Sequence, residues 1–436
     1  MILRDWLVPR PEAAAMNPLR RAGITPGLYH YLRESGGETV RFHLRVDATG
    51  GGLLVAGGAA AARLRPSGVI IAKAALEGKQ PSAIASELLD LFRGVTADEA
   101  ATDVRRVREI IAQLESPGDN YPILNLTDPA FAPGAAPLAR PLSADVPAAE
   151  PERIVPLIDR LWQLAIPHVT FIAGPRTDPR WLVRAVERSE DLGMIAGVRI
   201  RGTDLLRDTL LAELATAGVD HVDVLYLSHE PAVHDALAGQ GDHAQATAAL
   251  ARLRDREICA VAQVALVGAN ASAMEETLRA LTARNVTNAA WFAVVSPTRL
   301  EGPLSADALV QSAARIEESA EELGLRLLWY PPVRFDASLS LAEQVRRGPR
   351  ASGDTAVRVE PDGTVIPPRG PWLAAGNFMT EDWETIRRRP SYRAYRHRIE
   401  TDTHCDACPG LAVCAADCPR DPAGWADNRG IVEMHA

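Results

Sequence analysis

Four cysteines crowd into fourteen positions near the C-terminal end of this 436-residue chain, spaced Cys405-x2-Cys408-x5-Cys414-x3-Cys418. Thiolates two residues apart can face one ion from a single tight turn. A second pair a few residues later supplies the opposite side of a tetrahedron or a cubane. Pro409, Gly410 and Pro419 suit the non-helical backbone of such a wrap. Disulfides are rare where thiols are kept reduced, and four free thiols packed so closely by chance are improbable. The spacing therefore predicts one metal centre held by Cys405, Cys408, Cys414 and Cys418. Zinc and a [4Fe–4S] cluster both accept this donor set. His404 flanks the run and reads as an outer partner or a surface residue. The fifth cysteine, Cys259, stands alone and reads as a small buried hydrophobe.

Other residues carry weaker chemical signals. His221 and Asp223 share a strand-like run, and Ser228-His229-Glu230 and His234 follow at its C-terminal end. A hydrolytic or isomerase site could be built there, although strand-end polar residues commonly cap helices and no Gly-x-Ser-x-Gly elbow occurs. Arg199 and Arg201 lie two apart on another strand; salt-bridged structural roles are the simpler reading, anion binding the alternative. No phosphate-binding Gly-x4-Gly-Lys-[Ser/Thr] loop is present.

The elements that must position these residues fall into three regions, with boundaries expected at 1–118, 119–335 and 336–436. The first contains two strand-like runs, Arg41–Asp47 and Leu53–Ala56, joined by Gly50-Gly51-Gly52. Three helices follow, opened by Pro66, by Pro81-Ser82 and by Thr96, each with an apolar stripe at helical spacing. This suggests a small winged-helix-like α+β domain. The second region alternates strands and helices. Strands are expected at Ile123–Thr127, His168–Ala173, Ile195–Ile200, His221–Leu227, Cys259–Val267, Ala289–Val295 and Arg326–Tyr330. Helices are expected over 151–165, 179–192, 204–217, 243–256, 272–284 and 305–323. Apolar, unalternating strands separated by helices imply an α/β architecture of six or seven β/α units, a full barrel or a partial (β/α)6-type barrel of parallel strands. Ala130–Glu150, rich in proline and alanine, reads as a long loop. The third region offers a strand–turn–strand over Val357–Ile366, a helix near Trp383–Arg389, and then the cysteines.

Composition bounds the partners. A net charge of −9 argues against nucleic acid or an anionic membrane as the main surface. Arg387, Arg388 and Arg389 read as a solvated helix face. The first residues lack a signal-peptide pattern, and no apolar run is long enough to span a bilayer, so a cytoplasmic location is expected.

The third region resembles a SPASM domain, the cluster-bearing C-terminal extension of many radical SAM peptide-modifying enzymes. The cysteine run, Pro361-Asp-Gly-Thr-Val-Ile366 and Gly376-Asn377-Phe378 before Trp383 carry the resemblance. It is a reduced version: Pro368 stands where a cysteine is usual, and partner cysteines near 350–353 and beyond Cys418 are missing. A full domain of this kind binds two clusters; here ligands for one remain. In that family the last cysteine of the run usually serves the other cluster, so Cys418 as a ligand rests on local spacing, with His435 the alternative.

The middle region is similar to a radical SAM partial barrel through His168-Val-Thr-Phe-Ile-Ala-Gly-Pro-Arg176 and Leu214–Val224. That chemistry needs Cys-x3-Cys-x2-Cys after the first barrel strand. The residues after Ile123–Thr127 read Asp128-Pro-Ala-Phe-Ala-Pro-Gly-Ala135, without a cysteine. The family's Gly-Gly-Glu-Pro loop is replaced by Ala173-Gly-Pro-Arg176. The resemblance thus implies a barrel that does not bind or cleave S-adenosylmethionine, a pseudoenzyme. The first region resembles the recognition element of ribosomal peptide maturation, through Ala75–Lys79, Ile84–Leu88 and Ala101–Leu114. Such domains take a leader peptide as an added strand, here along 41–47 or 53–57; a winged helix serving only as packing is the other reading.

The expectation is a non-catalytic iron–sulfur protein that assists peptide modification, its partners a precursor peptide or an active radical SAM paralogue. Two alternatives stand beside it. One is a barrel enzyme of unrelated chemistry with a purely structural zinc or iron–sulfur site. The other is a radical SAM enzyme with atypical cluster ligands.

Overall fold

The computed structural model describes residues 8–9, 18–35, 38–58, 60–115, 140–174, 176–296, 300–352, 356–368 and 373–392. The chain divides into two compact units, Met1–Leu124 with Gln163–Pro167 and Asn125–Trp162 with His168–Ala436.

In the first unit, β1 (Gly27–Ser35), β2 (Glu38–Val46), β3 (Gly52–Ala56) and β4 (Ala60–Leu64) form one antiparallel sheet in that order. Helices α1 (Pro66–Leu76), α2 (Pro81–Leu91) and α3 (Ala97–Glu115) follow. Proline opens α1 and α2, where its missing N–H is no loss. Thr96 and Glu99 cap α3 reciprocally: Glu99 N donates to Thr96 Oγ1 at 3.3 Å and Thr96 N to the Glu99 carboxylate at 2.9 Å. Phe42, Leu44 and Val46 meet Val69, Val104 and Val107 in the core.

This sheet departs from the sequence reading in two ways. It has four strands rather than the two expected, β1 lying ahead of the first run expected as a strand and the alanines of β4 leaving no alternating signal. The runs expected to offer an edge to a peptide, 41–47 and 53–57, form the inner pair, bonded on both sides. Among the described residues, β1 and β4 are the edge strands.

The second unit is built on parallel strands β5 (Ser143–Pro147), β6 (His168–Ile172), β7 (Ile195–Ile200), β8 (His221–Leu225), β9 (Cys259–Leu266), β10 (Asn288–Ser296) and β11 (Arg326–Trp329), paired in sequence order. The helices between them include α4 (Pro151–Gln163), α5 (Pro179–Leu192), α6 (Leu210–Thr216), α7 (Pro231–Ala238), α8 (Asp242–Arg254), α9 (Met274–Thr282) and α10 (Ala306–Leu323). Beyond β11 come α11 (Leu341–Arg347), β12 (Ala356–Val359), β13 (Thr364–Ile366), β14 (Gly376–Asn377) and α12 (Trp383–Arg388). β12 pairs in parallel with β5, so the hairpin β12–β13 extends the barrel sheet.

Ile123–Thr127 lies outside the described residues. The strand beside β6 is β5, inside the stretch read as a long loop; Ser-Ala-Asp-Val-Pro is too polar to register as a buried strand. The barrel strands are also not uniformly apolar. Val169, Phe171, Val198, Val222 and Val224 alternate with polar residues, and the reason for the alternation is the lumen. Among the described residues no helix is long and apolar enough to cross a membrane.

Candidate functional site

Parallel pairing puts residues of one register row side by side on the same face. Asp145, Thr170, Gly197, His221 and Cys259 form one such row, and Ile172, Arg199, Asp223, Val261, Asn288 and Arg326 the next. Their side chains converge within the barrel. Arg199 Nη1 lies 2.9 Å from Asp145 Oδ2, and its Nε 3.5 Å from Asp223 Oδ2. Arg199 Nη2 donates to Ser352 Oγ at 3.1 Å, and Ser352 Oγ donates to Asp145 Oδ1 at 2.8 Å. The guanidinium also sits over the Tyr330 ring, 5.3 Å from its centroid.

A second arm runs from Asp223 to two histidines. His221 Nδ1 is 2.9 Å from Asp223 Oδ1, and His221 Nε2 is 2.9 Å from His168 Nε2. With Nδ1–H given to the carboxylate, the Nε2 of a neutral His221 accepts from His168. These histidines sit on β6 and β8, with β7 between them. Contact is possible only because β7 carries Gly197, where a Cβ would fall 2.0 Å from His221 Nε2. All five members, Asp145, His168, Arg199, His221 and Asp223, are buried.

Burial and partners set the charges. Burial raises the Asp145 carboxyl, outweighing Arg199 and Ser352. For Asp223 burial works in the same sense, yet His221 and Arg199 bring its carboxyl below the ordinary value. Burial pushes the Cys259 thiol up to about 12, aided by the Asp223 charge, so it is a poor nucleophile. Asn288 Nδ2 lies 3.7 Å from the Cys259 Sγ.

The residues weighed for hydrolysis are spent on local structure. Ser228 Oγ accepts from Glu230 N at 3.1 Å, and His229 Nδ1 meets Thr277 Oγ1 at 3.2 Å. His234 Nδ1 accepts from Leu227 N at 3.0 Å while its Nε2 meets Asp242 Oδ2 at 3.1 Å. Asp242 is in turn bonded by Thr203 at 2.7 Å. These contacts tie α7 and α8 to the end of β8 and assemble no nucleophile–base pair. Arg201 pairs with Asp204 at 2.9 Å. After β6, Gly174 N donates to Thr177 Oγ1 at 2.8 Å, and Asp178 caps α5.

Cys405, Cys408, Cys414, Cys418, His404 and His435 lie outside the described residues. Among the described residues no group of three or more His, Cys, Asp or Glu is placed to hold a metal. The sequence reading missed Asp145, His168, Gly197, Tyr330 and Ser352. A signal for some existed: His168-Val-Thr and His221-Val-Asp repeat a polar residue at every second position of buried strands.

No protein-family model matches the sequence, and no curated protein matches it. Solved structures do. SuiB of Streptococcus suis bound to S-adenosylmethionine aligns over 89% of this chain and 95% of its own, with TM-score 0.55 and 10% identity. The same protein bound to precursor peptide SuiA gives TM-score 0.53 over 89% and 95%, at 12% identity. Native anSMEcpe with AdoMet and the Cp18Cys peptide covers 67% of this chain and 95% of its own, at TM-score 0.47 and 10% identity. These neighbours are radical SAM peptide-modifying enzymes, and at these identities the likeness is one of fold alone, an α/β architecture with a large sheet of parallel strands.

Proposed function

We propose that this chain is a non-catalytic protein of radical SAM fold that assists the modification of a ribosomal peptide. It binds the precursor peptide, or an active radical SAM enzyme, and carries one [4Fe–4S] cluster on Cys405, Cys408, Cys414 and Cys418. The observation that carries the reading is the start of the barrel. β5 ends at Pro147 and α4 begins at Pro151, leaving Ala148-Ala149-Glu150 between them. Three thiolates spaced Cys-x3-Cys-x2-Cys do not fit that connection, and the chain has no cysteine before Cys259. Without an iron that has an open position, no electron can enter a sulfonium.

The peptide half of the proposal draws on the neighbours' bound peptides and on the first unit's edge strands. An extended peptide adds to the outer strand of a sheet, and β1 and β4 are the outer strands among the described residues. Leu32 on β1 is 59% exposed, an apolar foothold for an added strand.

The test is anaerobic purification of the full chain with iron, sulfide and zinc analysis, then incubation with S-adenosylmethionine and dithionite. About four irons and four sulfides per chain, with no 5′-deoxyadenosine formed, is the expected result. Stoichiometric zinc would replace the cluster with a structural ion, and 5′-deoxyadenosine would end the non-catalytic reading. Cys408→Ser should abolish metal binding; retained metal would remove that residue from the site.

A further inference from the structure

From Gly348 to Ser352 the chain crosses the inner face of the barrel. Gly348 ends α11 at φ 69° and ψ −171°, a conformation essentially closed to other residues. A Cβ there would come within 3.4 Å of Gln263 Nε2 on β9. Four residues later Ser352 bridges Asp145 on β5 and Arg199 on β7. β6, β7 and β8 lie between β5 and β9, so Gly348–Ser352 spans the lumen from one side to the other.

Its two ends are fastened. On the α11 side, Gln344 Oε1 accepts from Asp336 N at 2.8 Å while its Nε2 donates to Asp336 O at 3.0 Å and Leu339 O at 3.3 Å. Arg346 donates to Leu237 O on α7 at 3.4 Å. On the other side β12 pairs with β5. Within the segment Ala351 is fully buried, and burial lowers the Arg350 guanidinium to about 10. A fully buried alanine beside a half-buried arginine, between two fastened ends, marks packed chain rather than a surface loop.

We infer that Gly348–Ser352 is a strap that closes the barrel lumen, its serine hydroxyl occupying the hydrogen-bonding positions that Asp145 and Arg199 would otherwise turn toward a bound molecule. Opening would swing the strap about Gly348 and release the Asp145–Ser352–Arg199 bridge. The barrel is then a gated cavity, whether or not chemistry takes place in it.

Limited trypsinolysis and amide hydrogen exchange on the full chain test this. In the native protein, initial cleavage after exposed Arg347 should outpace cleavage after half-buried Arg350, which precedes the fully buried Ala351, by about tenfold or more. Ser352→Ala loses two charge-assisted hydrogen bonds, so cleavage after Arg350 and exchange at Ala351 should accelerate by about tenfold or more. Exchange in β9 should stay unchanged, and Ser352→Thr, which keeps the hydroxyl, should behave like the native chain. Equal cleavage after Arg347 and Arg350 in the native protein would overturn the strap. So would a Ser352→Ala chain whose segment and β9 open together.

Discussion

Gly197→Ala tests the centre of the lumen, because a single methyl there collides with a single ring. The added Cβ would lie 2.0 Å from His221 Nε2 and 2.1 Å from its Cε1, against an ordinary contact of about 3.5–4.0 Å. β7 is bonded on both sides, to β6 and β8, so the backbone cannot yield and the imidazole must leave. Its departure breaks the bonds to His168 and to Asp223, and leaves Asp223 with Arg199 at 3.5 Å. Overpacking costs about 1–3 kcal/mol, and unsatisfied buried partners cost about 1–3 kcal/mol. A total loss of about 2–6 kcal/mol is expected. Urea unfolding followed by tryptophan fluorescence reads it, since Trp291 and Trp329 are buried in this unit. The decisive comparison adds His221→Ala. Once the ring is gone, Gly197→Ala should cost less than about 1 kcal/mol more, a coupling of about 1 kcal/mol or greater. Costs that simply add would refute the idea that the glycine exists to let the two histidines meet.

Three further outcomes follow from local chemistry. Burial opposes ionisation of Asp242, but hydrogen bonds from His234 and Thr203 bring its carboxyl below the ordinary 3.8. Its contribution is therefore present above 3.8 and fades as pH falls through the lower folded value. Asp242→Asn should cost about 1–3 kcal/mol at neutral pH and progressively less in acid; a gap that widens in acid would contradict this. With its thiol pushed up to about 12, Cys259 should be alkylated by iodoacetamide at pH 8 at least about a hundredfold more slowly than a free thiol. Peptide mass spectrometry reads that rate, and labelling at the free-thiol rate would place Cys259 elsewhere. Thr96→Ala removes one half of the α3 capping box and should cost about 1 kcal/mol, seen as faster amide exchange in the first turn of α3.

Periodicity made most of the second unit legible. Ile195–Ile200 and the helix over 179–192 stand where the spacing puts them, and the other barrel strands from His168 onward agree to within a few residues. Elements without periodicity were not legible. β5 is Ser-Ala-Asp-Val-Pro, whose Asp145 faces an arginine two strands away, and nothing local announces that partner. β4 is alanine-rich, and α7 and α11 are too short for a stripe to emerge. The lumen was half legible. Arg199 was foreseen as salt-bridged, yet Ser352, 153 residues further on, belongs to the same cluster only because the strap folds back over the strands.

The way this lumen is filled bears on the choice between an idle barrel and an unrelated enzyme. Barrel enzymes do their chemistry at the C-terminal ends of the strands, while the opposite end serves stability. His168 and His221 are the first residues of β6 and β8, so the histidine–aspartate arm lies at the stability end. Above it, the charge on Arg199 is answered at ion-pair distance by Asp145 and Asp223 and by the face of Tyr330, and its Nη2 donates to Ser352. Removing one partner from such a buried set costs about 3–5 kcal/mol, because an uncompensated charge stays behind. A polar group that must stay paired to keep the barrel folded is poorly placed to exchange that partner for substrate at every turnover. The inner face thus favours the non-catalytic reading proposed above, and opening of the strap would part only the Ser352 bridge, leaving Arg199 beside its two carboxylates.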